Sequence, residues 1–257
     1  MLDVFILSLV QSITEFLPIS SSGHLLLLNK LGFSDQTLGM DVLLHLGTLL
    51  AVMVYFKKDV LNLIQVLWGR GDKYLFGKLV LATLPSIVVG FFFFNLIEHC
   101  FRSPYLVAIN SIYWGIILWG VDKYSPKTNT IEKLSFKGAF YIGCLQSLAL
   151  IPGTSRSGIT MTCGRALGIN RPESARFSML LSIPTILMTV GYIFIKGIRG
   201  EVQLPSFPMG LWGVWWAFIL GISVVYFLMK WVKTFSFGLF ALYRILLGVG
   251  VLLYLIF

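Results

Sequence analysis

Residues 11–24 read QSITEFLPISSSGH and break an otherwise apolar run near the start of the chain. Residues 146–158 read QSLALIPGTSRSG and repeat the order Gln-Ser, apolar residues, proline and Ser-x-Ser-Gly, with one residue of slippage. A bilayer tolerates such polar turns only where they are buried in protein or line a water-filled cavity. Both stretches therefore predict interrupted helices around a functional site.

The amino-acid composition indicates whether the chain folds in water or in a lipid bilayer. The 257 residues are 57% hydrophobic and 12% charged, whereas soluble domains are roughly 25% charged. We therefore predict an all-α polytopic membrane protein, with residues 1–257 forming one integral membrane domain. A spanning helix needs about 20 apolar residues, and we expect about 8–10 membrane segments. The segments long enough to span are 79–97, 104–121, 177–195, 211–229 and 239–257.

Apolar segments on either side of the two polar stretches are too short to span a membrane alone. Short apolar pieces around a Gly/Pro turn, in corresponding places of two halves, indicate a repeat with its site at the interface. We predict an inverted-topology repeat with two re-entrant helix–loop–helix units. The first half is 1–97 with its motif at 11–24, and the second is 138–229 with its motif at 152–160. The short segments are 2–10, 25–31, 138–151 and 158–169.

The chain has a formal net charge of +9, but its basic residues lie mostly between apolar segments. This placement indicates topology signals and lipid-headgroup contacts, and we expect no nucleic-acid partner. Arg165, Arg171 and Arg176 are expected to face headgroups. Two loops with many basic residues are predicted to be cytoplasmic by the positive-inside rule. They contain Lys57, Lys58, Arg70, Lys73 and Lys78, and Lys123, Lys127, Lys133 and Lys137.

Glu15 is a carboxylate inside an apolar stretch, where an ionisable group is costly and usually faces a cavity with a partner. Gln11 lies one helical turn earlier and projects from the same face. A carboxylate and an amide oxygen at this spacing can hold a hard divalent cation, Mg²⁺ or Ca²⁺, together with water and phosphate oxygens. The alternative is a structural carboxylate that pairs with a basic residue.

Three consecutive hydroxyls, Ser20, Ser21 and Ser22, precede Gly23 and His24. A turn of this composition exposes backbone N–H groups that bind anions. His24 has the chemistry of a general acid, a general base or a nucleophile. Helix capping accounts for one of the serines but not for three, so this turn is predicted to contribute to an anion site.

Arg156 stands among hydroxyls in the second stretch, and an arginine at membrane depth needs an anionic partner. Its planar fork matches phosphate oxygens. An Arg156–Glu15 ion pair that serves structure alone is the alternative. His45 is expected either to line the cavity or to pack in the core. The residues expected to bind the anion beside Arg156 are Gly153, Thr154, Ser155, Ser157 and Thr160.

These stretches resemble a known family. Residues 11–24 are similar to the first signature of bacterial undecaprenyl-diphosphate phosphatases, the bacitracin-resistance family, and residues 152–160 are similar to the second. The segments HLGTLLAV at 45–52 and RPESARFS at 171–178 are further matches, so the resemblance spans nearly the whole chain. Gln11 is the one departure, because many members have a second glutamate at that position.

The resemblance implies hydrolysis of undecaprenyl diphosphate to undecaprenyl phosphate and phosphate, assisted by a divalent cation. This reaction would recycle the lipid carrier of peptidoglycan synthesis and confer bacitracin resistance. The resemblance also implies that Glu15 is the motif glutamate, that Ser21 and His24 belong to the catalytic Ser/His stretch, and that Arg156 binds phosphate. With these residues, Ser20 and Ser22 are expected to bind substrate. Ser21, His24 and an activated water remain open as the attacking group.

The resemblance further implies a multi-pass protein of the bacterial cytoplasmic membrane, with its site facing the periplasmic side. A polyprenyl diphosphate lipid is the expected substrate, and a homodimer is left open. An inverted repeat with a central polar site is also the plan of transporters, so a polyprenyl-phosphate flippase is the main alternative. A Ser/His intramembrane hydrolase is a weaker alternative, because it leaves Arg156 unexplained.

Overall fold

The computed structural model describes residues 1–30, 37–100, 103–126 and 128–256, with side chains described at all of these positions except 22, 26, 27, 29, 30 and 94–100. Within these ranges the chain is helical, and one isolated bridge joins Asn129 and Ile169. The helices are α1 (Leu2–Phe16), α2 (Ser21–Lys30), α3 (Leu38–Tyr55), α4 (Lys57–Gln65), α5 (Lys73–Cys100), α6 (Pro104–Tyr124), α7 (Phe136–Ser147), α8 (Arg156–Ala166), α9 (Arg171–Ile198), α10 (Phe207–Thr234) and α11 (Gly238–Ile256).

Side-chain caps determine where several helices begin. Thr37 precedes α3, and its hydroxyl accepts a hydrogen bond from the backbone N–H of Met40 at 3.1 Å. Ser135 caps α7 and Asn170 caps α9 in the same way. The first N–H groups of a helix have no partner within it, so these oxygens stabilise each start.

Six helices are long and apolar enough to cross a membrane by length and composition, namely α3, α5, α6, α9, α10 and α11. The all-helical, multi-pass class predicted from composition is confirmed. The expected 8–10 segments also included short ones, which correspond to α1, α2, α7 and α8. Whether these four helices enter the bilayer as re-entrant pairs stays a prediction.

The two predicted halves exchange packing partners. Helix α1, from the half 1–97, packs mainly against α10, which belongs to the half 138–229. Conversely, α7 from the second half packs mainly against α5 from the first. Helices α3 and α9 contact each other between these groups, and α6 and α11 form a closely packed pair. The halves are therefore interlocked, while their inverted relation stays a prediction.

Glycines allow the closest of these helix contacts. A Cβ atom placed on Gly47 of α3 would lie 2.5 Å from the carbonyl oxygen of Val214 in α10. A Cβ on Gly143 of α7 would lie 2.4 Å from the carbonyl oxygen of Ala82 in α5. Small residues let membrane helices approach backbone to backbone, because helix association in lipid depends on close packing.

Lys78 joins the two basic loops. Its side chain is buried, and Nζ donates hydrogen bonds to the carbonyl oxygens of Ile131 at 3.2 Å and Glu132 at 3.1 Å. The loops at 56–73 and 125–137 therefore lie at the same end of the bundle, which we call the basic end. The sequence groups Lys78 with the charges of the first basic loop, and in the structure its buried side chain binds the second loop.

Asp122 organises the basic end. Its carboxylate accepts hydrogen bonds from Nε of Arg165 at 3.0 Å, from Nε of Arg171 at 2.8 Å and from the backbone N–H of Phe237 at 2.9 Å. Arg165 is fully buried, so the expectation that it faces headgroups is wrong. Arg171 and Arg176 also form ion pairs with carboxylates. The sequence does not show which carboxylate lies within reach of an arginine.

Candidate active site

Glu15 is the centre of a polar cluster at the end of α1. Its Oε1 accepts a hydrogen bond from Nη2 of Arg156 at 2.6 Å. Its Oε2 accepts from Oγ of Ser21 at 2.9 Å and from Nε2 of Gln11 at 3.2 Å, and Nε2 of His45 lies 3.3 Å away. The Glu15 side chain is only 7% exposed, so these donors replace the water that a carboxylate would otherwise need.

The cluster joins the two motifs that the sequence analysis singled out. Glu15 and Ser21 come from residues 11–24, and Arg156 comes from residues 152–160. A second link lies beside the first, because Oγ of Ser157 donates to the carbonyl oxygen of Leu17 at 3.0 Å. Nη1 of Arg156 also donates to the carbonyl oxygen of Ser178 at 3.1 Å. An Arg156–Glu15 ion pair, which the sequence raised as the structural alternative, is present, and it lies where the two motifs meet.

Two serines in left-handed backbone conformations mark the turns. Ser20, just before α2, has a φ of 79°, and Ser155, just before α8, has a φ of 70°. The two occupy corresponding places in the repeated Ser-x-Ser-Gly sequences. Residues other than glycine pay about 1–3 kcal/mol for such a conformation, and they concentrate at functional sites. Oγ of Ser155 accepts from the backbone N–H of Gly158 at 3.1 Å and thereby caps α8.

His45 belongs to the cluster, although the sequence left open whether it lines the cavity or packs in the core. Its Nδ1 lies 2.6 Å from the carbonyl oxygen of Asp41, and its Nε2 faces the carboxylate of Glu15. Both partners are acceptors, so both ring nitrogens carry protons when both hydrogen bonds form. The contact with Glu15 arises because His45 lies on the first half of α3, and α3 packs against α1. Helix packing of this kind cannot be read from the local sequence around His45.

His24 points elsewhere. Its Nδ1 lies 2.7 Å from the carbonyl oxygen of Ser20, its Nε2 lies 2.7 Å from the hydroxyl of Tyr243, and its ring stacks on that tyrosine. Neutral imidazole satisfies both contacts if Nδ1 donates and Nε2 accepts. The structure does not bring His24 together with Glu15, and its catalytic role stays a prediction.

A cavity of about 420 Å³ adjoins the cluster. Its polar end contains both motif turns, and its opposite wall comes mainly from α5 and α9, with Leu150 from the segment directly after α7. Phe91 and Met188 of that wall are also well exposed on the outer surface of the bundle, so the cavity extends to the lipid-facing side. The polar end comprises Glu15, Ser20, Ser21, His45, Ser155 and Arg156, and the wall includes Ile87, Gly90, Phe91, Leu150, Ile186, Met188 and Tyr192.

The predicted substrate-binding residues divide into two groups. Ser20 and Ser155 line the cavity. The other described members lie behind the lining and hold the turns together, because hydroxyls and glycines also serve close packing. Gly153 abuts the backbone of α6, Thr154 is buried, Ser157 binds a turn carbonyl, and Thr160 lies 2.7 Å from the Ser178 hydroxyl. The side chain of Ser22 lies outside the described residues.

The residues expected to hold a divalent cation are arranged differently from a metal site. Gln11 turns its amide nitrogen, not its oxygen, toward Glu15, and its Oε1 is buried without a partner among the described residues. Both oxygens of Glu15 already face protein donors. In the described part of the chain, no three His, Cys, Asp or Glu residues are grouped to hold a metal ion. These side chains therefore do not fit a cation cage built by the protein alone.

The fold and the cavity together define a class: multi-pass helical membrane proteins with a cavity inside the bundle that is polar at one end and apolar along its opposite wall. The chain belongs to the family described as bacitracin resistance protein BacA, whose model matches residues 4–250. It is 42% identical over 271 residues to an undecaprenyl-diphosphatase of Colwellia psychrerythraea, covering 99% of each chain. It is 39% identical over 263 residues to undecaprenyl-diphosphatase 1 of Pseudoalteromonas translucida, covering 99% of this chain and 98% of the relative.

Proposed function

We propose that this protein hydrolyses undecaprenyl diphosphate to undecaprenyl phosphate and inorganic phosphate. One observation carries the proposal: the Ser21 hydroxyl donates to the Glu15 carboxylate while Arg156 holds the other carboxylate oxygen. This arrangement offers a nucleophile, a base and an anion-binding group at one end of the cavity. The names of the two relatives support the choice of lipid.

The shape of the cavity suits an amphipathic substrate. Arg156 and a protonated His45 outnumber the single carboxylate of Glu15 at the polar end, which favours an anionic headgroup. The apolar wall between α5 and α9 suits a prenyl chain, and Phe91 marks where that chain would pass into the bilayer. Pockets of this kind use a few placed polar groups to orient a largely apolar ligand.

The first chemical step is attack by Ser21 on the terminal phosphorus. As the new O–P bond forms, the hydroxyl proton passes to Oε2 of Glu15. The bond from that phosphorus to the bridging oxygen breaks, and its electron pair leaves with undecaprenyl phosphate, which takes the proton from Glu15. Water then attacks the phosphoserine, and Glu15 transfers a proton from that water to Oγ of Ser21 as the ester bond breaks.

Arg156 and His45 stabilise the charge that develops during these steps. Nη1 and Nη2 of Arg156 are fixed by Ser178 and Glu15, which holds the guanidinium in place for the phosphate oxygens. Preorganised donors of this type act mainly on the transition state. Attack by His24 has less support, because its ring binds Ser20 and Tyr243 rather than facing the cavity.

A divalent cation remains a separate proposal. Glu15 is the carboxylate that lines the described cavity, so a cation there would bind mainly to substrate phosphate oxygens and water, as Mg²⁺ commonly does. Phosphate release measured in a chelator and after return of Mg²⁺ or Ca²⁺ tests this. Equal rates with and without the cation would contradict a requirement for it.

We also propose a location and an orientation. The protein lies in the bacterial cytoplasmic membrane with the basic end toward the cytoplasm, and the site serves the periplasmic side. The positive-inside rule and the shared end of the two basic loops support this orientation. The reaction would return the lipid carrier to peptidoglycan synthesis and lower sensitivity to bacitracin. A homodimer is a further proposal, which light scattering of the detergent-solubilised protein tests.

The decisive experiment measures phosphate release from undecaprenyl diphosphate by the purified protein. Ser21→Ala and Arg156→Ala are expected to lose at least about 100-fold in kcat. Arg199→Ala removes an exposed arginine at the end of α9 and serves as the matched control with unchanged activity. Near-normal turnover in both site variants would contradict the assignment. Lipid reorientation in proteoliposomes without phosphate release would favour the flippase alternative.

A further inference from the structure

Arg244 of α11 is a buried arginine that contacts both motif turns. Its side chain has no exposed surface. Nη1 donates to the carbonyl oxygen of Pro18 in the first turn at 3.3 Å. Nη2 donates to the carbonyl oxygens of Gly153 and Thr154 in the second turn, both at 2.8 Å. A single guanidinium, which does not line the described cavity, therefore connects the two polar stretches.

The partners of Arg244 are carbonyl oxygens rather than a carboxylate. No ion pair to it occurs among the described residues, and its Nε has no hydrogen-bond partner there. A buried charge without a counter-charge is costly. Apolar side chains of similar volume often replace such groups without loss of stability. Stability alone therefore gives a weak reason for an arginine at this position.

The contacts of Arg244 determine the direction of a backbone N–H group. In a trans peptide the C=O and N–H groups point in opposite directions. The carbonyl oxygen of Thr154 points at Arg244, so the N–H of Ser155 in the same peptide points away from it. Ser155 lines the cavity and has a left-handed φ. Holding the carbonyl thus fixes the orientation of a residue at the polar end.

Helix α6 supports the same turn. Nδ2 of Asn110 donates to the carbonyl oxygen of Pro152 at 3.0 Å. Because α6 and α11 pack closely against each other, the two helices form one rigid support. This support reaches the second turn through Asn110 and Arg244, and the first turn through Arg244.

We propose that Arg244 is a positioning residue that sets the two motif turns relative to each other, so that Ser21 and Arg156 meet at Glu15. The expected loss of activity rests on the proposed phosphatase function. The hydrogen bonds by which Arg244 bridges the two turns do not depend on that function. A lysine would keep the positive charge, but its single ammonium group lacks the planar fork that reaches carbonyls in two turns.

The test compares Arg244→Lys with Arg165→Lys, since both arginines are fully buried and bind several carbonyl oxygens. Hydrogen–deuterium exchange followed by mass spectrometry reports on the turns without reference to activity. For Arg244→Lys we expect faster exchange at both 17–21 and 152–156, and a fall in kcat of about 100-fold from misplaced groups. The KM should change far less than kcat, because the cavity wall is untouched.

Arg165→Lys is expected to speed exchange near 122–126 and to leave kcat per folded molecule unchanged. Wild-type exchange in both turns of Arg244→Lys, or faster exchange in one turn only, would overturn the inference. Wild-type kcat with faster exchange in both turns would overturn the positioning role. If the wild-type protein releases no phosphate, the proposed function fails and the exchange result still decides the bridging. Arg244→Met provides a second variant that keeps volume but removes every donor.

Discussion

Glu15 is a carboxylate with little access to water, and four neighbouring groups hold it in place. Arg156, Ser21, Gln11 and His45 each direct a polar atom at one of its two oxygens. Removing one partner from such a buried set costs about 3–5 kcal/mol when a charge is left unpaired. Changes at Glu15 should therefore affect both chemistry and the order of the surrounding side chains.

The variant Glu15→Gln keeps the shape of the side chain but removes the base and the negative charge. We expect kcat for phosphate release to fall by about 100- to 10,000-fold, the range for loss of a general base. Asp3→Asn, on the same helix but outside the described cavity lining, is the control and should retain activity. A kcat within about threefold of wild type, well below the loss expected for a general base, would contradict the role of Glu15.

His24 and His45 allow a direct comparison. His45 faces Glu15 in the cavity, whereas His24 stacks on Tyr243. His45→Asn should lower kcat by about 10- to 100-fold, because a hydrogen bond to a charged group is worth about 1.5–3 kcal/mol. His24→Asn should cause the smaller loss. Steady-state kinetics of both variants check this order, and the reverse order would favour His24 as the attacking group.

At the scale of elements, the two motif turns were easier to predict from the sequence than the residues that each turn contacts. The cost of polar residues in an apolar run identified both motifs, and the Ser-x-Ser-Gly similarity predicted that they belong together. The sequence could not show that Ser157 and Thr160 bind other protein groups, because hydroxyls near a turn suit ligands and carbonyls equally well. The sequence left the role of His45 open and did not single out Arg244 for a related reason. Each of these residues contacts residues that are distant from it in sequence.

Close helix contacts give a test of packing. In Gly143→Ala the new methyl group would collide with the carbonyl of Ala82, so α7 and α5 must separate. We expect a loss of about 1–3 kcal/mol in stability, as for other overpacked sites. Gly191→Ala on α9 meets no atom within 4 Å and is the matched control. Thermal unfolding in detergent measures both, and equal melting temperatures would contradict the packing described for α7.

At the scale of the whole molecule, composition predicted the class and the charge pattern predicted two loops on one side. The hydrogen bonds of Lys78 to Ile131 and Glu132 place those loops at the same end. The exchange of partners between α1 and α7 was beyond the sequence, because helix neighbours depend on shape. Gly143 permits the contact of α7 with α5, but a glycine in a sequence does not reveal which helix it faces.

Cysteine labelling tests the orientation of the basic end. In a background without Cys100, Cys144 and Cys163, we expect Lys58→Cys and Lys133→Cys to react with an impermeant maleimide only in inside-out vesicles. The exposed Glu201, between α9 and α10, should become reactive in intact cells after Glu201→Cys. α9 is 28 residues long, about 42 Å, which is long enough to place its two ends on opposite sides of a bilayer. Labelling of all three positions from one side would contradict this topology.

The position of Arg244 after both motifs in the chain also has a consequence for biosynthesis. Every residue of the polar cluster is translated before α11, and proteins are made at about 5–20 residues per second. The two turns can enter the membrane early, but their common support is missing until α11 has been inserted. The site should therefore become competent only after α11 is in place, so a nascent chain that stalls before α11 would be embedded in the bilayer without being active.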